Sequence, residues 1–250
     1  MASICVTGST DGIGLHAVRQ LLAAGHELVL HARTPERGAP VLAELDALGA
    51  VRLACADLAD LGALPGLAKQ IGPIDVLVHN AGVWVPDRAP RTAQGLEPTF
   101  QVNVLAPHVL TGLLAGAIGE RLVFLGSGMV RSGARHLDAR ALGAEHDPKR
   151  AYATTKALDV VLGLAWARRR PDLLVGAVDP GWVRTKLASP GAPGEAQEGG
   201  ARVAFAAASP TWTGGYSKGA QPAQVPPALR DEQRQDAVLA ELDRLAVDLA

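Results

Sequence analysis

Short runs of consecutive apolar residues recur along the chain. Each is followed by a longer stretch whose apolar positions return every three or four residues. Runs of the first kind at Ile4–Thr7, Glu27–His31, Val51–Ala54, Asp75–His79, Leu122–Leu125 and Leu173–Val178 predict buried strands. Stretches of the second kind, at about 14–24, 39–48, 60–70, 96–117 and 151–169, predict helices. This alternation implies an α/β fold, a doubly wound parallel sheet with helices on both faces. Ligands on such a sheet sit at the carboxyl ends of its strands, so the residues after each strand matter most. Near the end, a Pro-rich connector at 221–227 precedes a helix expected over 231–249. Its apolar stripe is Val238, Leu239, Leu242, Leu245 and Leu249.

Composition narrows the class. At 250 residues and 48% hydrophobic content, the chain can bury a substantial core as one domain. A formal charge of -1 supplies no global field for nucleic acid or an anionic membrane. No apolar run reaches the length of a membrane span, and the N-terminus enters a strand pattern at once, so neither a membrane span nor a signal peptide is expected. Cys5 and Cys55 read as buried free thiols in a reducing, cytoplasmic setting. The seven histidines form no metal-ligand pattern, and no metal is expected.

The first strand runs into Gly8-Ser9-Thr10-Asp11-Gly12-Ile13-Gly14 and then a helix. Glycines there let the backbone approach a pyrophosphate, which the helix N-terminus favours. The Gly-x3-Gly-x-Gly spacing differs from the commoner Gly-x-Gly-x-x-Gly. The second strand ends at Arg33, with no acidic residue from Leu28 to Pro35. An acid there would favour NAD, whereas an arginine accommodates the 2′-phosphate of NADP, so NADP is the expected cofactor. Asp11 offers that phosphate nothing. After the third strand, Asp57 and Leu58 stand where a carboxylate meets an adenine amino group or caps a helix. After the fourth, Asn80, Ala81 and Gly82 permit close approach of a ligand.

Tyr152 and Lys156 lie four residues apart on a predicted helix, so both emerge on one face. An ammonium one turn from a phenol favours the phenolate, which makes the pair an acid/base device. Such pairs also occur on ordinary helix surfaces, and the remaining motifs supply the context.

Taken in order, these motifs resemble the short-chain dehydrogenase/reductase family, in its branch of roughly 250-residue single-domain enzymes. The resemblance implies a Rossmann-type sheet of about seven strands spanning residues 1–250 and a homodimer or homotetramer. Asn103, Ser127, Tyr152 and Lys156 match the family's catalytic tetrad. Pro180, Gly181, Val183 and Thr185 match the segment beside the nicotinamide. The implied activity is hydride transfer between a nicotinamide cofactor and a small-molecule carbonyl or alcohol. Tyr152 would donate the proton and Lys156 would lower the tyrosine pKa and hold the nicotinamide ribose. Ser127 would bind the substrate oxygen, and Asn103 would fix a water that relays protons from Lys156. A non-catalytic dinucleotide-binding redox sensor and an NAD-dependent alcohol dehydrogenase are the alternative readings.

Two departures concern the substrate side. Ser127 and Tyr152 are separated by 24 residues, 128–151, where about half that number is usual. That polar insertion suits a solvated flap and resembles the retinol-dehydrogenase-like branch, whose substrates are often lipophilic. Gly126 precedes Ser127 where a second Ser often stands, which removes one nearby hydroxyl. In the motif after the fourth strand, His79 stands where another Asn is more usual. The Gly/Pro-rich segment 186–200 reads as a lid over the nicotinamide end, and Trp84, Met129, Trp182 and Leu187 are candidates for an apolar substrate pocket.

Overall fold

The computed structural model describes residues 1–85, 90–137, 147–187 and 191–248. The first half alternates as the pattern predicts: β1 (Ser3–Val6), α1 (Gly12–Ala23), β2 (Glu27–Ala32), α2 (Pro35–Asp46), β3 (Val51–Cys55), α3 (Leu64–Ile71) and β4 (Ile74–His79). α2 begins four residues before the expected start because Thr34 takes the N-cap position and Pro35 the first turn, where a missing N–H costs nothing.

The stretch expected as one helix over 96–117 is three pieces. α4 (Pro98–Phe100) leads into a π-helical segment, Gln101–Leu105, and then α5 (Ala106–Leu113). The Glu97 carboxylate caps the start by accepting from the Thr99 and Phe100 N–H groups. The Ala106 N–H reaches back five residues to the Gln101 carbonyl. Pro107 then lacks the N–H that an α-helix would direct to the Asn103 carbonyl. The widened turn therefore falls on Asn103, and such turns are frequent at functional sites.

The second half holds β5 (Ile118–Leu125), α6 (Val130–Gly133), α7 (Pro148–Arg169), β6 (Leu174–Val178), a small pair β7 (Val183–Arg184) and β8 (Gly194–Glu195), α8 (Ala196–Ala208), β9 (Gly215–Lys218), β10 (Gln221–Pro222) and α9 (Glu232–Asp248). The main sheet runs β10-β9-β6-β5-β4-β1-β2-β3. Its seven members from β9 to β3 pair in parallel, and β10 adds a two-residue antiparallel edge. The chain order reverses between β1 and β4, which places the switch-point crevice above Val6 and His79.

Two apolar layers cover the sheet. One unites α3, α5, α7 and α9 around Leu77, Phe124 and Leu162; the other unites α1 and α8 around Ile4, Val18 and Val203. Each fully buried Leu or Ile in them contributes roughly 1.5–3 kcal/mol. α9 docks on its own chain through Val238, Leu239, Leu242 and Leu245, reinforced by Asp243, which accepts from His108 at 2.7 Å and from Arg169 at 3.0 Å. Leu249, the last residue of the expected stripe, lies outside the described residues.

Cys5 is buried, and burial pushes its thiol up to about 12, whereas Cys55, expected to be buried, is half-buried at the edge strand. No helix among the described residues is long and apolar enough to cross a membrane. Among the described residues no group of three or more His, Cys, Asp or Glu could hold a metal ion.

Candidate active site

A cleft of about 560 Å³ opens over the carboxyl ends of β1, β2, β3 and β4 and continues to α7. Its size suits a cofactor or small ligand. Gly8, Thr10, Asp11, Gly12, Ile13 and Gly14 line it from one side; Asn80, Ala81 and Gly82 line it from another.

The turn between β1 and α1 is shaped by close packing. Gly8 has φ +63, and a Cβ there would stand 2.8 Å from the Ala81 Cα. A Cβ on Gly14 would stand 2.7 Å from the Gly8 carbonyl oxygen. Any side chain at either position would fill the space the backbone leaves. Asn80 Nδ2 donates to the Thr7 and Gly8 carbonyls at 2.8 and 3.0 Å, so the segment after β4 locks the turn. Bare backbone beneath the N-terminus of α1 fits a dinucleotide pyrophosphate.

Ser9, expected to touch the cofactor, lies beneath the turn and does not line the cleft. It is fully buried; its hydroxyl donates to the Val6 carbonyl and accepts from the His31 N–H. His31 supports the same turn. Its Nδ1 accepts from the Gly8 N–H at 2.9 Å, which leaves Nε2 to donate to the Ala56 carbonyl at 3.1 Å. Burial pushes the imidazole down to about 4, so it stays neutral in this role.

Arg33 and Arg37 both line the cleft beyond β2. They are four residues apart, Arg33 just before the N-cap Thr34 and Arg37 in the first turn of α2, and Arg37 carried no signal of its own in the sequence. Asp57 and Leu58 line it as well. Asp57 also closes a local turn, its carboxylate accepting from the Ala59 N–H at 2.9 Å. Across the cleft mouth, Lys186 pairs with Asp11 at 2.5 Å.

Tyr152 and Lys156 enter the cleft from the first turns of α7. Pro148 and the Asp147 carboxylate, which accepts from the Arg150 N–H at 2.6 Å, start this helix. Lys156 Nζ lies 5.6 Å from the Tyr152 ring centroid. It donates to the Leu125 carbonyl at 3.0 Å and to Asp159 Oδ2 at 2.7 Å. The indole of Trp84 stacks on the Tyr152 ring, centroids 5.1 Å apart and planes within 13°.

Asn103 does not line the cleft. Its side-chain oxygen accepts from the Val83 N–H at 2.8 Å, and its amide donates to the Val83 carbonyl and to the Thr155 hydroxyl at 3.0 and 3.1 Å. Thr155 in turn donates to the Tyr152 carbonyl. Asn103 therefore ties the segment after β4 to the helix that carries Tyr152 and Lys156. Ser127 stands just past β5; its neighbour Gly126 lines the cleft, and its own hydroxyl accepts from the Met129 N–H at 3.3 Å.

The expected nicotinamide segment divides. Pro180 and Thr185 line the cleft. Gly181 and Val183 do not; Val183 is buried in β7, and Gly181 turns the chain with its N–H on the Asp179 carboxylate. Of the expected pocket residues, Leu187 lines the cleft, whereas Met129, Trp84 and Trp182 do not. Trp182 is 58% exposed to solvent. The lid expected over 186–200 is loop only in its first part, because residues 194–200 enter β8 and α8. Positions 188–190 lie outside the described residues, as do Asp138, Arg140, Glu145 and His146 of the 128–151 insertion.

Residues 2–132 match the family model for short chain dehydrogenase. Short-chain dehydrogenase chry4 of Gibberella zeae is 36% identical over 80% of this chain and 78% of its own. The polyprenol dehydrogenase of Mus musculus is 33% identical over 73% of this chain and 60% of its own. Among solved structures, a protein of Mycobacterium paratuberculosis shares the fold at TM-score 0.84, with 23% identity, over 99% of this chain and 94% of its own. A short chain dehydrogenase of Burkholderia cenocepacia J2315, solved in complex with NADP, superimposes at TM-score 0.67 with 27% identity over 86% of this chain and 96% of its own. The glycine turn, the crevice and the sequence matches thus agree: the chain belongs to the short-chain dehydrogenase family of NAD(P)-dependent oxidoreductases.

Proposed function

We propose that this enzyme transfers hydride between NADP(H) and the carbonyl or alcohol carbon of a small, lipophilic aldehyde, ketone or secondary alcohol. The observation that carries this reading is the opening of Tyr152 and Lys156 onto the same cleft as the glycine-rich turn. When bound, the dinucleotide supplies the hydride; the chain supplies position and charge. The bare turn around Gly8, Gly12 and Gly14 holds the pyrophosphate. Arg33 and Arg37 grip the 2′-phosphate, a task suited to planar guanidinium forks. Asp57 faces the adenine side, and Pro180 and Thr185 flank the nicotinamide.

Tyr152 donates its phenolic proton to the substrate oxygen in reduction and takes one back in oxidation. Lys156 provides the positive charge beside that ring. Ser127 hydrogen-bonds the same oxygen, and Asn103 holds the helix bearing Tyr152 against the segment after β4. Val83, Val85 and Leu187 give the cleft an apolar wall, and Trp84, outside that lining, stacks on Tyr152. That wall, and the name polyprenol dehydrogenase on a relative, support a lipophilic substrate.

Paired fluorescence titrations with NADPH and NADH test the cofactor assignment. NADPH is expected to bind at least about tenfold tighter, the preference collapsing in Arg33→Asp. A preference for NADH overturns the phosphate site, and binding of neither overturns the cofactor reading altogether. Turnover is then measured on a panel of aromatic and aliphatic aldehydes, ketones and alcohols. Activity that survives Tyr152→Phe removes Tyr152 from the chemistry. Cofactor binding with no turnover across the panel favours the redox sensor.

A further inference from the structure

Lys156 is 5% exposed and Asp159 3% exposed. An ammonium taken out of water loses its hydration, and burial alone drives a lysine toward its neutral form. Yet the site needs this lysine charged, next to a phenol that must exchange a proton. The geometry shows what compensates. Asp159 lies three residues on, along the same helix, with Oδ2 2.7 Å from Lys156 Nζ. The Leu125 carbonyl accepts a second ammonium hydrogen at 3.0 Å. A carbonyl favours the charged form only as a dipole, whereas the carboxylate supplies a full opposite charge.

We infer that Asp159 is the positioning residue of the active-site lysine: its carboxylate keeps Lys156 protonated and anchored beside Tyr152. The inference rests on the reading of Lys156 as the charge that serves Tyr152. Burial lowers Lys156, but Asp159 and Tyr152 more than offset that and hold it above the ordinary lysine range. Burial pushes Asp159 up to about 6 against the pull of Lys156, so the carboxylate is charged at neutral pH.

The surroundings leave this pair to itself among the described residues. Tyr152 and Asp159 are the ionisable groups acting on Lys156, and Lys156 is the one acting on Asp159. From the neighbouring elements, Asp179 after β6 acts on Tyr216 of β9. His108 on α5 is turned to Asp243 of α9, and His79 on β4 bonds the Thr111 hydroxyl. Asn103, whose carboxamide approaches from the π-helical segment, carries no charge. A neutral residue at 159 would therefore leave the ammonium without a counter-charge.

The test reads the proton on Lys156 directly, in the cofactor-free protein, so its outcome does not depend on turnover. The chain has five lysines, Lys69, Lys149, Lys156, Lys186 and Lys218. With 13Cε-labelled lysine, each gives an NMR resonance that moves on deprotonation, and Lys156→Met assigns the one at issue. In the wild type, Lys156 is expected to keep its proton to higher pH than the other four. In Asp159→Asn, which preserves shape and removes charge, it is expected to lose the proton at least about one pH unit earlier than in the wild type. Asp159→Glu, which restores a carboxylate, should move it back. Asp159→Ser serves the same purpose should the Asn variant not fold.

A Lys156 that titrates with or before the other lysines in the wild type overturns the inference, whatever the variants do. An unmoved Lys156 in Asp159→Asn or Asp159→Ser overturns it as well. Either result leaves the catalytic assignment standing, because that assignment fails on a different measurement: turnover that survives Tyr152→Phe.

Discussion

The two halves of the cleft are built by different means. The half over the glycine turn, β1–α1–β2, is shaped by missing side chains: Gly8 against Ala81, and Gly14 against the Gly8 carbonyl. Its polar contacts run largely to backbone, from Asn80, Ser9 and His31. The half around α7 is shaped by side chains that hold each other: Asn103 to Thr155, Lys156 to Asp159, Trp84 on Tyr152. A site made by close approach tolerates no added atom, whereas one made by charge and hydrogen bonding fails when a single polar atom changes while its shape survives.

The largest expected effect lies in the second half. Tyr152→Phe removes one oxygen and should lower turnover by about 10²–10⁴-fold, with NADPH affinity unchanged; steady-state kinetics and fluorescence titration separate the two. Weakened NADPH binding in that variant would show that the halves are not separable.

Next comes a pH effect carried by two buried imidazoles. Burial lowers His31 to about 4 and His79 to about 3. An unfolded chain binds these protons near pH 6.5, the folded one only at much lower pH. The stability they contribute is therefore complete above pH 6.5 and is lost as pH falls toward 4 and 3. Denaturation in urea should show a decline on the order of 3 kcal/mol per histidine across that range. His79→Leu should flatten its share. NADPH affinity should fall over the same acid limb in the wild type, because protonated His31 cannot accept from the Gly8 N–H. A stability curve flat from pH 6.5 to 4 would contradict the buried, neutral state of both rings.

Gly8→Ala probes the first half. It adds a Cβ at positive φ and against the Ala81 backbone, so it should cost about 1–3 kcal/mol and most NADPH affinity together. Loss of affinity with full stability would mean that the turn adapts and that only the ligand feels the methyl group. The smallest effect is expected for Trp182→Ala, within about 0.5 kcal/mol of wild-type stability and with NADPH affinity kept, since this side chain faces solvent. A large change in turnover there would return Trp182 to the substrate pocket.

Much of this molecule was legible in its sequence because the signals are local. Apolar runs and three-to-four periodicity marked β1 to β6, and glycines after β1 marked the turn that must stay bare. Asp159 sat at helical spacing from Lys156, and Arg37 followed the strand end already singled out, yet a charged residue in a sequence reads as solvent-facing, and only the packing of α7 shows Asp159 buried. β9 escaped notice because four residues, Gly215–Lys218, carry little pattern of their own and become a strand by pairing with β6. The turn at Asn103 likewise arises from the join of two helical pieces.

The alternation of β1 to β6 with their helices, the end of the sheet at which the cleft opens and the chemistry available at each strand end were therefore determined by the chain itself, since periodicity and turn residues act over a few positions. Which polar groups lose water, and which partner each one then finds, was decided by the tertiary structure. The cost of burying His31, Asn103, Lys156 or Asp159 depends on neighbours brought from distant parts of the chain, or from a helix face whose burial no local pattern records.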